Sequence, residues 1–220
     1  MSARRSRLAA VIGLAIGAVA VVAPTATATP SATACPDLDV VFARGTTEIP
    51  GPGVVGKPLI PAVQRALPGK SVSSYAVDYA ASIDQSSAGP GATDMTRHVV
   101  RLAAACPGTK FVLGGLSQGA SVTDIAIGVE SGLGSGETVP AGLADRVVAV
   151  VAFGNPLGGL FRRTIKDASP VYGPKALEIC NLGDLVCGGL GTRGPGFGHL
   201  SYAFDGSVEM AAGFIGHNYR

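Results

Sequence analysis

The 220-residue chain carries 17 basic and 15 acidic side chains, is 47% hydrophobic and only 15% charged. So apolar a chain excludes intrinsic disorder, and its near-balanced charge lacks the basic excess that a nucleic-acid surface needs. Glycine, at 32 residues, follows no three-residue period, so it signals tight turns and not a collagen-like helix.

In chain order, Arg4, Arg5 and Arg7 come first and precede an uncharged run over residues 8–23. Ala26-Thr27-Ala28 then supplies a small-x-small cleavage site. This pattern predicts a secretory signal peptide over residues 1–28, cut near Ala28, and one domain over 29–220. The apolar run falls short of the about 20 residues of a membrane span, so no stable span is expected after cleavage. Removing the three arginines leaves 14 basic against 15 acidic groups, so the positive charge of the full chain is a targeting feature. Export places the four cysteines in an oxidising compartment. Cys180 and Cys187 bracket a short loop and are expected to pair, which leaves Cys35 for Cys106.

Five short β-rich runs follow, at residues 38–43, 72–79, 110–114, 147–153 and 176–181. Several are continuously apolar, as parallel strands covered on both faces are. Helical spacing occupies residues 56–67, 94–105, 118–129 and about 205–215. The alternation predicts a single α/β domain: a doubly wound, mainly parallel five-stranded sheet with helices on both faces. Residues 131–143 and the glycine-rich 188–198 resist assignment. The six glycines of the latter predict a mobile segment that lets the following His199 move.

Gly115-Leu116-Ser117-Gln118-Gly119 lies between the third strand and its helix. A G-x-S-x-G sequence in that context is a nucleophile elbow: the serine sits on a sharp turn that pushes its hydroxyl out of the sheet edge. The Gln118 amide, at the helix start, then points toward a developing oxyanion. A serine hydroxyl needs an imidazole to take its proton and a carboxylate to orient that imidazole. His98 falls inside a helix and is expected at the surface. His217 lies three residues from the C-terminus, where fraying defeats positioning. His199 follows the last strand and is the expected base. Asp184, in the Cys180–Cys187 loop, is the expected carboxylate, giving the order Ser…Asp…His of α/β-hydrolases. Asp205 is assigned instead to the start of the last helix, and Arg44 to loop carbonyls or Glu48.

Four segments together resemble the cutinase family of secreted serine esterases. They are Phe42-Ala43-Arg44-Gly45-Thr46-Thr47-Glu48, Gly115-Leu116-Ser117-Gln118-Gly119, Cys180-Asn181-Leu182-Gly183-Asp184-Leu185-Val186-Cys187 and His199-Leu200-Ser201-Tyr202. The resemblance implies a lidless α/β-hydrolase fold with Ser117 as nucleophile, Asp184 as orienting carboxylate and His199 as base, then acid. It also implies an oxyanion hole from the backbone N–H groups of Thr46 and Gln118, assisted by the Thr46 hydroxyl. The family often has serine at position 46, and the extra methyl here bears on acyl preference. The implied protein is a secreted or envelope-associated monomer acting on esters or lipids at an interface, with no metal or organic cofactor. Leu157, Leu160, Phe161, Leu185, Val186, Leu190 and Phe197 are expected to rim the site. Short- to medium-chain esters are the expected substrates. A lipase or phospholipase, an acetylxylan-type deacetylase and a non-catalytic binding protein are the rival readings.

Overall fold

The structure is a computed structural model that describes residues 35–130 and 132–219. The signal peptide and its cleavage site lie outside the described residues.

Six parallel strands form one sheet in the order β2-β1-β3-β4-β5-β6. They are β1 (Leu38–Ala43), β2 (Val72–Ala76), β3 (Lys110–Leu116), β4 (Val147–Phe153), β5 (Ala176–Leu182) and β6 (Thr192–Phe197). The sheet therefore has one strand more than the pattern predicts. The sixth, Thr-Arg-Gly-Pro-Gly-Phe, lies inside the glycine-rich segment and has no alternating apolar signal. Its neighbour supplies the order it lacks: Gly196 N–H donates to Asn181 Oδ1 at 3.2 Å, and Gly198 N–H to the Leu182 carbonyl at 2.8 Å. The segment expected to be mobile is thus a hydrogen-bonded edge strand.

The helices are α1 (Gly53–Ala66), α2 (Ala88–Ala105), α3 (Gln118–Ala126), α4 (Pro156–Phe161), α5 (Ile165–Ala168) and α6 (Ser207–Asn218). A strand sends successive side chains to opposite faces, and this explains the unbroken apolar runs. Val41, Leu113 and Val150 pack under α2 and α3 with Met95, Val99 and Val122. Val40, Phe42, Val112 and Val151 pack under α1 and α6 with Leu59, Val63, Ala211 and Ile215. Both faces are buried, as a doubly wound sheet requires. Leu157, expected at the rim, is a core residue at 1% exposure, because α4 turns it under the sheet with Ile165 and Tyr172. Among the described residues, no helix is long and apolar enough to cross a membrane.

Both expected disulfides are present, Cys35–Cys106 and Cys180–Cys187. The first ties the start of the described chain to the end of α2. The second closes the turn after β5.

Candidate active site

The six parallel strands all end at one edge of the sheet, and the segments that follow β1, β3, β5 and β6 carry the predicted site. In open α/β sheets that edge is where ligands bind, since strand ends and helix starts converge there.

Ser117 joins β3 to α3 with φ +55° and ψ −118°, a conformation that costs energy for any residue with a Cβ. The turn holds it there. Ser117 N–H donates to the Phe153 carbonyl at 2.9 Å, and Ala120 N–H to the Ser117 carbonyl at 2.8 Å. A Cβ on Gly115 would lie 2.1 Å from the Gly119 carbonyl oxygen, and one on Gly119 would lie 2.0 Å from that of Ala43. Only glycine at both positions lets the elbow close against its neighbours. Ser117 opens on a cleft of about 300 Å³ lined by Gln85, Pro156, Gly159, Leu160, Leu185 and Val186.

Asp184 and His199 meet directly: His199 Nδ1 lies 2.9 Å from Asp184 Oδ2. The Asp184 side chain is fully buried, and the His199 ring is one-quarter exposed. Two further donors hold the carboxylate, the Val186 N–H on Oδ1 at 2.9 Å and the Tyr202 hydroxyl on Oδ2 at 2.5 Å. Burial pushes the Asp184 carboxyl up, but the bonds from His199 and Tyr202 outweigh it and hold the group below its ordinary range. An ionised carboxylate only accepts, so the imidazole proton sits on Nδ1 and Nε2 is left as an acceptor. Among the described residues, the Ser117 hydroxyl makes no hydrogen bond, to His199 or to any other group.

The turn bearing His199 is braced by Asn181. Its Nδ2 donates to Ser201 Oγ at 2.8 Å, to Asp205 Oδ2 at 2.7 Å and to the Gly198 carbonyl at 3.3 Å. Asp205 also accepts from the Ser207 N–H at the start of α6, the place assigned to it from sequence. Tyr202 accepts from the Asn181 N–H and meets the His199 ring edge-on at 6.2 Å.

On the β1 side, Arg44 is buried and binds loop carbonyls: Nε donates to Glu48, and the guanidinium to Val77 and Tyr79. Glu48 in turn accepts from the N–H groups of Gly45 and Val54. The loop holding Thr46 is tied to the loop carrying Ser82 and Gln85, which Gln118 in turn holds. Gln85 Nε2 donates to Thr46 Oγ1 at 3.0 Å, and Gln118 Nε2 to the Ser82 carbonyl at 3.0 Å. Among the described residues, neither the Thr46 nor the Gln118 backbone N–H has an acceptor.

The other two histidines stand away from this edge. His217 is exposed in α6. His98 is not a surface residue as expected: it stacks on Tyr75 and lies 2.8 Å from the buried Asp39. The helix periodicity could not reveal that β1 places a carboxylate beneath it.

Sequence reasoning gave no role to Tyr202, Gly154, Asn155, Asp124 or Glu178. The last two are buried acids bridged by the Asn155 amide. Their signal was present: Asp124 interrupts the apolar face of its helix and Glu178 sits inside an apolar strand. Burial and the neighbouring Glu178 hold the Asp124 carboxyl well above its usual range, and burial pushes Glu178 up to about 7. An acid whose folded value is raised stabilises the fold at low pH and loses that contribution as pH rises through the folded value. Urea denaturation should therefore show stability falling by about 3 kcal/mol from this group between pH 4.5 and 7. The Glu178→Gln variant should lack that slope.

Residues 34–219 match the family Cutinase. A cutinase from Kineococcus radiotolerans is 59% identical over 82% of this chain, a stretch that spans 60% of that protein's length. Phospholipase Culp4 of Mycobacterium tuberculosis is 38% identical over 95% of this chain and 90% of its own. The solved Trichoderma reesei cutinase, in complex with a phosphonate inhibitor, superposes with a TM-score of 0.59 at 28% identity, covering 84% of this chain and 78% of the other. This is the α/β-hydrolase fold, and the chain belongs to the cutinase family.

Proposed function

We propose that the protein is an exported carboxylic ester hydrolase working through Ser117, His199 and Asp184. The observation that carries this reading is the His199–Asp184 bond, with Nε2 left free, at the strand edge where the strained Ser117 turn opens. Ser117 Oγ attacks the ester carbonyl while His199 Nε2 takes its proton, and Asp184 stabilises the resulting imidazolium. The oxyanion is held by the N–H groups of Thr46 and Gln118, each worth about 3–4 kcal/mol of barrier. The Gln85 amide occupies a lone pair of Thr46 Oγ1, which leaves the hydroxyl proton to serve the same oxyanion. His199 returns its proton to the departing alcohol. Water activated by the same imidazole then releases the acid. The Ser117–His199 bond forms as substrate enters, since such bonds are commonly long in free enzymes.

The test is labelling with a fluorophosphonate followed by peptide mapping: one label per chain, on Ser117. Label on another residue, or none, overturns the assignment.

For the substrate, the cleft walled by Leu160, Leu185 and Val186 favours short- to medium-chain acyl groups. Exposed apolar side chains, on the cleft wall and on the loops that carry Thr46, Gln85 and His199, support a second reading. Leu160 is 61% exposed and Leu185 89%, and Ile49, Ile83 and Leu200 are more than 80% exposed. Such apolar side chains suit a lipid surface, and the relative named a phospholipase points the same way. Rates on p-nitrophenyl esters from acetyl to palmitoyl, with and without micelles, separate the two. A short-chain optimum indifferent to micelles favours soluble esters, and a jump in rate at the micellar transition favours lipid. The two disulfides and the basic, apolar leader support export.

The disulfides should separate stability from activity. Cys35–Cys106 spans 71 residues and Cys180–Cys187 only 7, so chain entropy assigns them about 4 and about 2.5 kcal/mol. In urea titrations, paired serine replacements should therefore cost more stability at 35 and 106. The 180/187 pair should instead lower kcat of the folded protein by roughly 10–100-fold, because the Asp184 turn loses its closure.

A further inference from the structure

Asn155 is the first residue of the turn into α4, and both its Nδ2 donors and its Oδ1 acceptor are engaged. Nδ2 donates to Asp124 Oδ1 at 3.2 Å and to Glu178 Oε1 at 3.0 Å. Oδ1 accepts the Leu157 N–H at 3.0 Å and caps α4. Asn155 is 2% exposed, Asp124 is fully buried and Glu178 is 8% exposed. The other Glu178 oxygen accepts the Ile165 N–H at 2.7 Å, which fastens α5.

Each of these contacts leads to a different part of the site. Asp124 lies on α3 about two turns below Ser117. Gly154, the preceding residue, is so close to the Asp184–His199 pair that a Cβ there would lie 2.7–2.8 Å from His199 Cε1, His199 Nδ1 and Asp184 Oδ2. Pro156, Gly159 and Leu160, held by the cap, wall the cleft. Glu178 lies on β5, the strand that runs into the Asp184 turn. We propose that Asn155, clamped between Asp124 and Glu178, is the positioning residue that keeps the nucleophile helix, the Asp184–His199 pair and the apolar cleft wall in mutual register. The proposal rests on the catalytic roles given above to Ser117, His199 and Asp184.

The chemistry explains why an amide stands here. Two buried carboxyls in one cluster repel when both are ionised. The raised Asp124 leaves at most one negative charge on the pair near neutrality, and Asp167 beside Glu178 adds to the same repulsion. A neutral side chain with two N–H donors and one acceptor joins both acids and caps a helix at once. Aspartate supplies no donor, and a hydroxyl cannot reach all three partners. None of the three side chains touches the reacting atoms, so their effect passes through the backbone of residues 154–156.

The test uses Asn155→Ser, which keeps a cap oxygen for Leu157 and loses both bridges, beside the exchange variant D124N/N155D, which restores one donor between positions 124 and 155. Active sites are counted by fluorophosphonate labelling, and kcat and KM are measured per labelled site on p-nitrophenyl butyrate and octanoate. Asn155→Ser is expected to lose about 100-fold in kcat per labelled site, the size of effect that misplacement by about 1 Å produces. Its octanoate-to-butyrate preference should shift as the cleft wall moves, and the exchange variant should regain at least tenfold. A kcat per labelled site within twofold of wild type, however far Tm falls, would make Asn155 a purely structural residue and overturn the proposal. Should Asn155→Ser not fold, Asp124→Ala decides in its place, since it removes one bridge and leaves Asn155 and its cap on Leu157: kcat per labelled site lower by tenfold or more supports the proposal, and a smaller loss overturns it. Failure of the underlying assignment looks different: wild type then takes no label at Ser117.

Discussion

Ser117→Ala lowers kcat/KM for p-nitrophenyl butyrate by about 10⁴–10⁶-fold, measured by initial rates against the uncatalysed reaction. The size follows from the arrangement. His199 and Asp184 form a closed unit with a free Nε2, but they have no covalent role. Without Oγ no acyl intermediate forms, and only the backbone donors and the cleft remain to act on an attacking water. The change is mild for the fold, because Ser117 holds its place through its backbone N–H and carbonyl. Removing Oγ disturbs no side-chain hydrogen bond. Tm should thus stay within a few degrees, and a residual rate above one-hundredth of wild type would contradict the nucleophile role.

Gly154→Ala is expected to have the second-largest effect, a loss of about 100-fold in kcat with the sheet intact. Gly154 has φ +55°, which alanine adopts only at a cost. Its added methyl would press on both the imidazole and the carboxylate, at 2.7–2.8 Å. Gly154 N–H also donates to the Ile179 carbonyl at 3.0 Å, so the backbone has little room to withdraw. The weakest contact gives way, and that is the His199 ring, one-quarter exposed and hinged on a turn. The readout that separates displacement from unfolding is the ¹H NMR resonance of His199 Nδ1–H, which shifts or vanishes while the core methyl resonances stay. An unchanged imidazole signal and unchanged kcat would show that the ring tolerates the methyl.

Much of this was legible in the sequence, for physical reasons that differ from element to element. Strands β1 and β4 were read to their final residue because both of their faces are buried: β4 has no polar residue, and the one in β1, Asp39, is itself buried. The elbow was legible because its two glycines and central serine answer to one steric problem. Asp184 stood out through its flanking cysteines. Strand β6 was illegible because Gly-Pro-Gly carries no side-chain pattern, and what makes it a strand is Asn181 and Leu182 on the neighbouring strand. The start of α2 was misjudged for a similar reason, while its end at Ala105 was read correctly. It starts at Ala88, six residues before the predicted start, with small residues that carry no amphipathic signal. Tyr202 and Asn155 could not be found by spacing, since their partners come from distant segments that only the sheet order brings together.

The outer border of the sheet has a consequence for how the molecule behaves in company. An unpaired strand is a template on which another chain can lay its own backbone. One of the sheet's two borders is β6, where Pro195 removes an amide proton and is flanked by two residues without side chains, and where Arg193 sets a charge. A protein dense enough to coat an oily surface would bring many such borders within reach of each other. The poor strand-forming sequence at β6 keeps crowded copies from zipping together along this edge.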